Sequence, residues 1–349
     1  MREACNKMKN KNIEYSVNLI GEEPEFLMKI GFDAIEDILL SISHRQLSNR
    51  GSGSIWDKKT KSWARIINGK KLSNAYETNR EDTRIYHNIY EEHIGVLKLR
   101  EKGLEFVIIS NGNLGNNCWH AAWQYDEKKK LYCLKKEPFW ERSYSCFIVP
   151  RDKTKKPFIG KVRFNEAEDL LDETRKNISE EVNWCNYGQQ IVRTREGKTD
   201  AVPIEEIIEE FCDVRHVFEL KDWVKDKSNQ EEKAKVEKNL EIIGELYEGY
   251  YTQFKEKMLQ KLKEEFPRAK YYHSTLGLDD KGIVLYHYYD KIEEIAKRLV
   301  DKGVKDSIIL DQGGSVGTYA SWAYPNGGYL STSSYFRPNR ISVIGFVLK

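Results

Sequence analysis

The pattern of apolar and polar positions predicts that the middle of the chain is rich in strands. Short apolar runs occupy residues 104–109, 147–149 and 158–164, and polar turn sequences bound each of them. Runs of this length, rich in aliphatic and aromatic residues, are typical of strands buried in a sheet. Residues 165–179, which follow these runs, are predicted to form a helix.

A strand–helix–strand pattern lies between residues 283 and 310. An apolar run at 283–289 leads to Asp290, then to apolar residues at helical spacing, to Gly303 and to a second apolar run at 307–310. Aspartate is a common N-cap and glycine commonly follows a helix. Such a crossover normally joins parallel neighbouring strands. It predicts Asp311 at a carboxyl end of the sheet, where open α/β folds bind ligands.

Residues 1–100 have a different pattern. Apolar residues recur at helical spacing between residues 24 and 42, and a Gly- and Ser-rich break at 49–53 precedes short strand-like runs at 55–56 and 63–67. This pattern predicts a small α+β addition over residues 1–100, packed on a main domain that spans residues 101–349.

Residues 203–267 are dense in Lys and Glu, with apolar residues at helical spacing, and they predict a helical insertion in the main domain. Such an apolar stripe commonly packs against its own domain, and the alternative is an arm that binds a partner or a second copy of the chain. The predicted fold class is α/β, with α+β as the alternative. It comprises a mixed sheet, the C-terminal βαβ unit, this insertion and the N-terminal addition.

Composition narrows the classes of function. The 349 residues suffice for one large domain or two, and the 57 basic and 55 acidic residues nearly cancel, so charge gives no argument for a nucleic acid polymer or an anionic membrane. The polar N-terminus contains no signal peptide and no segment has the length of a membrane-spanning helix, which predicts a cytoplasmic protein. Six scattered cysteines without a Cys-x-x-Cys pair predict reduced thiols, and neither a metal nor another cofactor is expected.

Four segments of the chain are Ser274-Thr275-Leu276-Gly277, residues 310–315 with Arg340, residues 109–114 and residues 186–193. Together they resemble the phosphodiester glycosidase family, which includes the enzyme that uncovers mannose 6-phosphate by removing N-acetylglucosamine. In the same order, family members carry an Arg-Thr-Ala-Leu-Gly-like segment, a Leu-Asp-Gly-Gly-Gly-Ser turn with a closing strand that contains arginine, an Asn-Gly-Gly-Phe-Phe turn and a Gly-Pro-x-Leu-Val segment. His273 stands in place of the family arginine and Gln312 in place of a glycine.

The resemblance implies a hydrolase that cleaves the glycosidic bond of a sugar-1-phosphodiester. It implies a small-molecule or glycan phosphodiester as the substrate, with Asp311 and His273 as the acid/base candidates. The implied substrate-binding residues, which would hold the phosphate and the sugar, are Asn111, Gly112, Thr275, Gly313, Gly314, Ser315 and Arg340.

Each of these residues also has a purely structural interpretation. Asp311 could tie down its own turn, His273 could satisfy a strand carbonyl, and Arg340 could form a surface ion pair. Two other functions stay open on the same residues. One is a binder that sequesters a sugar or nucleotide phosphodiester without turnover, and the other is an interaction protein or homo-oligomer that uses the 203–267 helices.

Overall fold

Antiparallel sheets make up most of the described part of the chain. The computed structural model describes residues 4–8, 12–20, 23–41, 54–57, 62–67, 70–72, 94–111, 122–124, 143–164, 169–210, 259–260, 263–264, 268, 270–313, 316–323, 327–333 and 342–349. Its strands are β1 (Ala4–Met8), β2 (Ile13–Ile20), β3 (Glu23–Gly31), β4 (Ile35–Ser41), β5 (Ser54–Asp57), β6 (Ser62–Ile67), β7 (Lys70–Leu72), β8 (Phe106–Asn111), β9 (Ala122–Gln124), β10 (Tyr144–Pro150), β11 (Phe158–Phe164), β12 (Leu170–Asp172), β13 (Val182–Tyr187), β14 (Gln189–Arg195), β15 (Lys198–Ala201), β16 (Tyr271–Leu278), β17 (Gly282–Asp290), β18 (Asp306–Gln312), β19 (Gly317–Ala320), β20 (Gly328–Thr332) and β21 (Ser342–Leu348). Its named helices are α1 (Ile94–Glu101), α2 (Ile292–Asp301) and the 3-10 turn Phe32–Ala34.

The described strands form four sheets, in the orders β1-β2-β3-β17-β16-β18-β14-β15, β12-β11-β10-β13-β9, β20-β19-β8-β21-β4 and β5-β6-β7. Every ladder between named strands in these sheets is antiparallel. The predicted α/β class is therefore wrong, and so is its α+β alternative with a mixed sheet. The fold is a mainly antiparallel β structure.

The C-terminal strand–helix–strand unit contains the predicted elements in a different arrangement. Strands β17 and β18 flank β16 and both pair with it antiparallel, so they run parallel to one another without being neighbours. The reason lies in the turn before β17. The Asp279 carboxylate accepts hydrogen bonds from the backbone N–H groups of Lys281 and Gly282, each at 2.8 Å, and closes a hairpin between β16 and β17. This hairpin occupies the edge of β17 that β18 would otherwise take.

The predicted helix between residues 24 and 42 is wrong. The structure has β3, a short 3-10 turn and β4 there, and Phe26, Met28 and Ile30 alternate in β3 as buried residues. The 3-10 turn shifts the alternation of buried and exposed residues between the two strands. The apolar residues of the turn and of the following strand therefore recur at a spacing that resembles that of a helix. Strand β3 pairs with β17, and β4 pairs with β21. The domain boundary near residue 100 stays a prediction.

Other local predictions have mixed outcomes. The strand predicted at 104–109 is confirmed as β8, which begins two residues later, and the strands at 147–149 and 158–164 are confirmed within β10 and β11. The helix at 165–179 is wrong, because its described residues form β12 and turns in which the Asp172 carboxylate accepts backbone hydrogen bonds from Thr174 and Lys176. Residues 204–210 are helical, as are residues 259–260 and 263–264, and most of the 203–267 segment lies outside the described residues.

The two faces of the eight-stranded sheet bury different clusters. One face, here called the inner face, packs against β8, β21 and β19 through side chains such as Leu276, Leu285 and Phe346. The opposite, outer face packs against α2 and residues 204–210, through side chains such as Tyr286 and Ile309. Successive residues of a strand point to opposite faces of the sheet. A residue's position along its strand therefore determines whether its side chain packs on the inner or the outer face.

A buried carboxylate joins β3 to β17 on the outer face. The Tyr286 hydroxyl donates a hydrogen bond of 2.7 Å to Glu25, and the Lys302 ammonium lies 3.2 Å from the same carboxylate. Only 4% of the Glu25 side chain is exposed. Burial, and then the Glu25 carboxylate, raise the pKa of Tyr286, so this hydroxyl stays a donor at any ordinary pH.

Replacing Lys302 by Met should lower the free energy of unfolding by about 2 kcal/mol, because it leaves the buried Glu25 carboxylate without its cation. Adding Glu25→Gln to Lys302→Met should restore most of this loss. The matched control is Lys297→Met, which breaks an exposed pair with Glu294 and should change nothing measurable. Urea unfolding of the four proteins measures the effect, and a double variant no more stable than the Lys302 variant would contradict it.

Candidate active site

A β-bulge in β18 determines on which face of the sheet the Asp311 side chain lies. Thr275 pairs with Ile309 and Ser274 pairs with Asp311, so Leu310 is an extra residue on β18. Residues that pair directly across antiparallel strands point to the same face. Asp311 therefore shares the inner face with Ser274, whereas regular alternation from Ile309 would have sent it to the outer face.

The inner face at this level holds a buried imidazole surrounded by hydroxyl groups. The Nε2 atom of His287 lies 3.4 Å from Ser274 Oγ and 3.1 Å from Thr318 Oγ1, and its Nδ1 atom lies 3.1 Å from Ser331 Oγ. The Tyr272 hydroxyl is 3.5 Å from the same Ser331 oxygen. These five side chains, here called the His287 cluster, come from β16, β17, β19 and β20 and join the two sheets of the main core.

The His287 imidazole is neutral. Burial lowers its pKa to about 3, because a charged ring would lose its hydration between the two sheets. A neutral imidazole donates from one ring nitrogen and accepts at the other, and hydroxyl groups can complement either tautomer. His287 therefore orients its neighbouring hydroxyl groups and carries no charge at neutral pH.

Asp311 itself is 8% exposed, at the end of β18. Its Oδ1 atom accepts a hydrogen bond of 2.8 Å from the backbone N–H of Gln312. Gly313 follows with φ of 84°, a left-handed conformation that favours glycine and turns the chain away from the strand. Because Asp311 pairs with Ser274, and Ser274 contacts His287, the carboxylate lies in the row of side chains next to the His287 cluster.

His273 lies on the outer face, away from Asp311. It pairs with Tyr288 and Gln312, and its ring meets that of the half-exposed Tyr271 edge-on, with 6.2 Å between ring centroids. Burial lowers its pKa to about 4, and Asp290 opposes this shift only in part. Neither ring nitrogen has a hydrogen-bond partner among the described residues. The structure thus separates the two acid/base candidates by the thickness of the sheet.

The remaining substrate-binding candidates are placed unevenly. Thr275 is buried on the outer face, where its hydroxyl donates a hydrogen bond of 3.1 Å to the carbonyl of Tyr286. Asn111 ends β8 and pairs with Ser342 at the start of β21. Four candidates lie outside the described residues, namely Gly112, Gly314, Ser315 and Arg340.

Segments far apart in the sequence meet at the edge where β18 ends. Ser110, next to Asn111 in β8, accepts a hydrogen bond of 2.9 Å from the N–H of Gly317, four residues after Gly313. The pairing of Asn111 with Ser342 brings the start of β21, two residues beyond position 340, to this edge as well.

The fourth segment of the resemblance borders β18 on its other side. Gln189 pairs with Ile309, and Gly188 packs so closely that a Cβ atom there would lie 2.7 Å from the carbonyl oxygen of Ile309. The absence of a side chain at Gly188 therefore allows β14 to meet β18 just before the bulge. Asp311 is thus flanked by β16 on one side and approached by the 186–193 segment on the other.

His287, Thr318 and Ser331 were not among the residues predicted from the sequence. Of these, His287 carried a usable signal, because it stands alone among aliphatic and aromatic residues in β17. A histidine at such a position is costly to bury unless hydrogen bonds satisfy it, so it indicates a polar cluster. Thr318 and Ser331 lie in short strands with no comparable signal. Within the described ranges no group of three or more His, Cys, Asp or Glu residues could hold a metal ion.

Comparison with known proteins gives a distant structural similarity. No family model matches the chain, and no curated protein matches its sequence. The zebrafish N-acetylglucosamine-1-phosphodiester alpha-N-acetylglucosaminidase catalytic domain, auto-inhibited by its pro-peptide, has a TM-score of 0.41 and 11% identity, covering 100% of this chain and 87% of that one. A hypothetical protein from Synechocystis has a TM-score of 0.37 and 9% identity, covering 100% of this chain and 64% of that one. The likeness is distant, and at these scores it shows neither a family nor an activity.

None of the helices in the described part of the chain is long and apolar enough to cross a membrane. The cytoplasmic location and the association through the 203–267 helices stay predictions.

Proposed function

We propose that this protein is a hydrolase that cleaves the glycosidic bond of a sugar-1-phosphodiester at the edge where β18 ends. The observation that carries the proposal is the meeting of the sequence segments at Asp311. The end of β8, the start of β21, the bulged end of β18 and the 186–193 segment lie together there, although they are separated by up to about 230 residues.

In this proposal Asp311 is the base that takes a proton from the attacking water. The water oxygen bonds to the anomeric carbon, the bond from that carbon to the phosphate oxygen breaks, and the phosphomonoester leaves with the bonding electrons. A phosphate leaving group is a weak base and needs no strong acid to protonate it. One carboxylate can therefore suffice, whereas glycosidases whose leaving group is a sugar hydroxyl use a second carboxyl group to protonate it.

The other groups bind and orient. The hydroxyl of Ser274 lies 3.4 Å from His287 Nε2, and Ser274 pairs with Asp311 across the two strands. Arg340, proposed from the resemblance, would bind the phosphate with its guanidinium group. The proposal assigns no chemical step to His273, because that side chain lies on the opposite face.

Mass spectrometry of the products tests this function. The purified protein would be incubated with a panel of sugar-1-phosphodiesters and nucleotide sugars, beside its Asp311→Asn variant. Release of a free sugar and a phosphomonoester is expected from the parent protein and should fall by at least about 100-fold in the variant. Asparagine keeps the size of the side chain and removes its basicity.

The matched control is Asp306→Asn, at the opposite end of the same strand. Asp306 pairs with Leu278 and accepts a hydrogen bond from the Thr194 N–H, so its replacement perturbs β18 without touching the proposed site. Turnover should survive in this control. Equal turnover by the Asp311 variant and the parent would overturn the proposal, and retention of one compound without any turnover would favour the binder.

A further inference from the structure

The candidate active site is divided between two sheets. Asp311 and its cross-strand partner Ser274 belong to β18 and β16 of the eight-stranded sheet. Asn111, which the proposal places among the substrate-binding residues, ends β8 in the sheet that also contains β19, β20 and β21. The distance from the carboxylate to a bound substrate therefore depends on how the two sheets are held against each other.

The core between these sheets consists largely of apolar side chains, such as Leu276, Leu285 and Phe346. Apolar contacts stabilise the two sheets against each other, but they have no preferred direction. A hydrogen bond, in contrast, weakens steeply when its length or angle changes. Directional contacts between the sheets are therefore the ones that can fix the position of one half of the site relative to the other.

His287 provides such contacts from the middle of the core. Its ring belongs to β17 and is fully buried. The Nε2 atom lies 3.1 Å from Thr318 Oγ1 on β19, and the Nδ1 atom lies 3.1 Å from Ser331 Oγ on β20. Thr318 and Ser331 pair with each other across these two strands. A planar ring held at both nitrogens by one pair of residues has little freedom to turn or slide.

The same ring lies beside both halves of the site. On its own sheet, Nε2 is 3.4 Å from Ser274 Oγ, and Ser274 pairs with Asp311. On the other sheet, Thr318 directly follows Gly317, whose N–H donates a hydrogen bond of 2.9 Å to Ser110 Oγ at the end of β8. A continuous path of contacts thus joins the strand that bears the carboxylate to the strand that bears the substrate-binding residue.

We infer that His287 is a positioning residue that fixes the Asp311 carboxylate relative to the substrate-binding end of β8. The inference rests on the proposed hydrolase function. His287 lies outside the four segments of the family resemblance. Its buried ring does not reach the substrate, so the loss of its hydrogen bonds should slow the chemical step and leave substrate binding nearly unchanged.

Steady-state kinetics of His287→Leu and Thr318→Val, on the sugar-1-phosphodiester that the parent protein cleaves fastest, test the inference. In each variant kcat should fall by at least about tenfold and KM should change by less than about threefold, because a misplaced base slows the reaction more than it weakens binding. The double variant should be no slower than the slower single variant, because both changes break the same link. His287→Gln should keep at least about half of the parent kcat, since an amide offers both a donor and an acceptor.

Leu285→Ala is the matched control. Leu285 is buried on the same face of β17, two residues before His287, and its truncation weakens the core without removing a hydrogen bond of the His287 cluster. This variant should unfold at a lower temperature than the parent and keep the parent kcat below that temperature. A parent-like kcat in His287→Leu, or an equal loss in Leu285→Ala, would overturn the positioning role and leave the hydrolase function standing. Absence of turnover by the parent protein would overturn both.

Discussion

Lowering the pH from 7 to 5 is expected to reduce the free energy of unfolding by about 4 kcal/mol, through two buried histidines. The folded-state pKa values of His273 and His287 are lowered to about 4 and about 3 from an ordinary value of 6.5. Below pH 6.5 the unfolded chain takes up a proton at each position and the folded chain does not. Each histidine then contributes a loss of about 2 kcal/mol at pH 5, since one pH unit corresponds to about 1.4 kcal/mol.

The sign and the range of this effect follow from where the protons bind. Stability is greatest above pH 6.5, falls as the pH drops through 6 and 5, and stops falling through these groups near pH 4 to 3, where the folded protein also takes up the protons. Glu210, whose pKa burial raises, works in the opposite direction and offsets part of the loss at the acid end.

Urea unfolding at pH 7, 6 and 5 measures this dependence. The variants His287→Gln and His273→Leu should each remove about half of it, and the double variant should be nearly insensitive to pH over this range. Glutamine can still hydrogen-bond to the hydroxyl groups of Ser274, Thr318 and Ser331, so the first variant changes titration with little change in packing. A pH dependence as steep in the double variant as in the parent would contradict the prediction.

Gly282→Ala should lower the free energy of unfolding by about 3 kcal/mol, because β3 and β17 meet too closely to admit a methyl group. A Cβ atom at Gly282 would overlap the carbonyl oxygen of Ile30 and lie 2.8 Å from its carbonyl carbon. These are backbone atoms of a ladder that also pairs Gly282 with Gly31, and they cannot rotate aside as a side chain would. The two strands must separate, which disturbs the main core on one face and the packing of α2 on the other.

Gly160→Ala provides the matched control in another strand. Its nearest neighbour would be an edge carbon of Phe158 at 3.3 Å, and that ring is 46% exposed and able to move. Thermal unfolding of the parent and the two variants measures the effect. Both variants add a methyl group to a strand, so the difference between them gives the cost of the close backbone approach at Gly282. Equal stability of the two variants would show that β3 and β17 adjust without cost.

Part of the local structure could be predicted from the sequence. The strands at 104–109, 147–149 and 158–164 and the helix before Gly303 could be predicted, because alternation and helical spacing report which residues along one segment are buried. Asp311 could also be selected as a candidate from the sequence, since an acidic residue after a buried strand and before glycines is a local pattern. The 3-10 turn at Phe32–Ala34 could not be predicted from the sequence, because apolar residues in a turn and the strand beside it can recur at helical spacing.

The sheet order and the composition of the candidate site depend on the tertiary structure. The hairpin closed by Asp279 placed β16 between β17 and β18, and the bulge at Leu310 moved Asp311 to the inner face while His273 stayed on the outer one. His287 became the centre of a polar cluster because strands β16, β19 and β20 bring it hydroxyl groups from residues up to 44 positions away. The spacing of apolar residues within one segment indicates which of its residues are buried. Strand order, bulges and the face on which a side chain lies depend on contacts between distant segments, so no pattern within one segment predicts them.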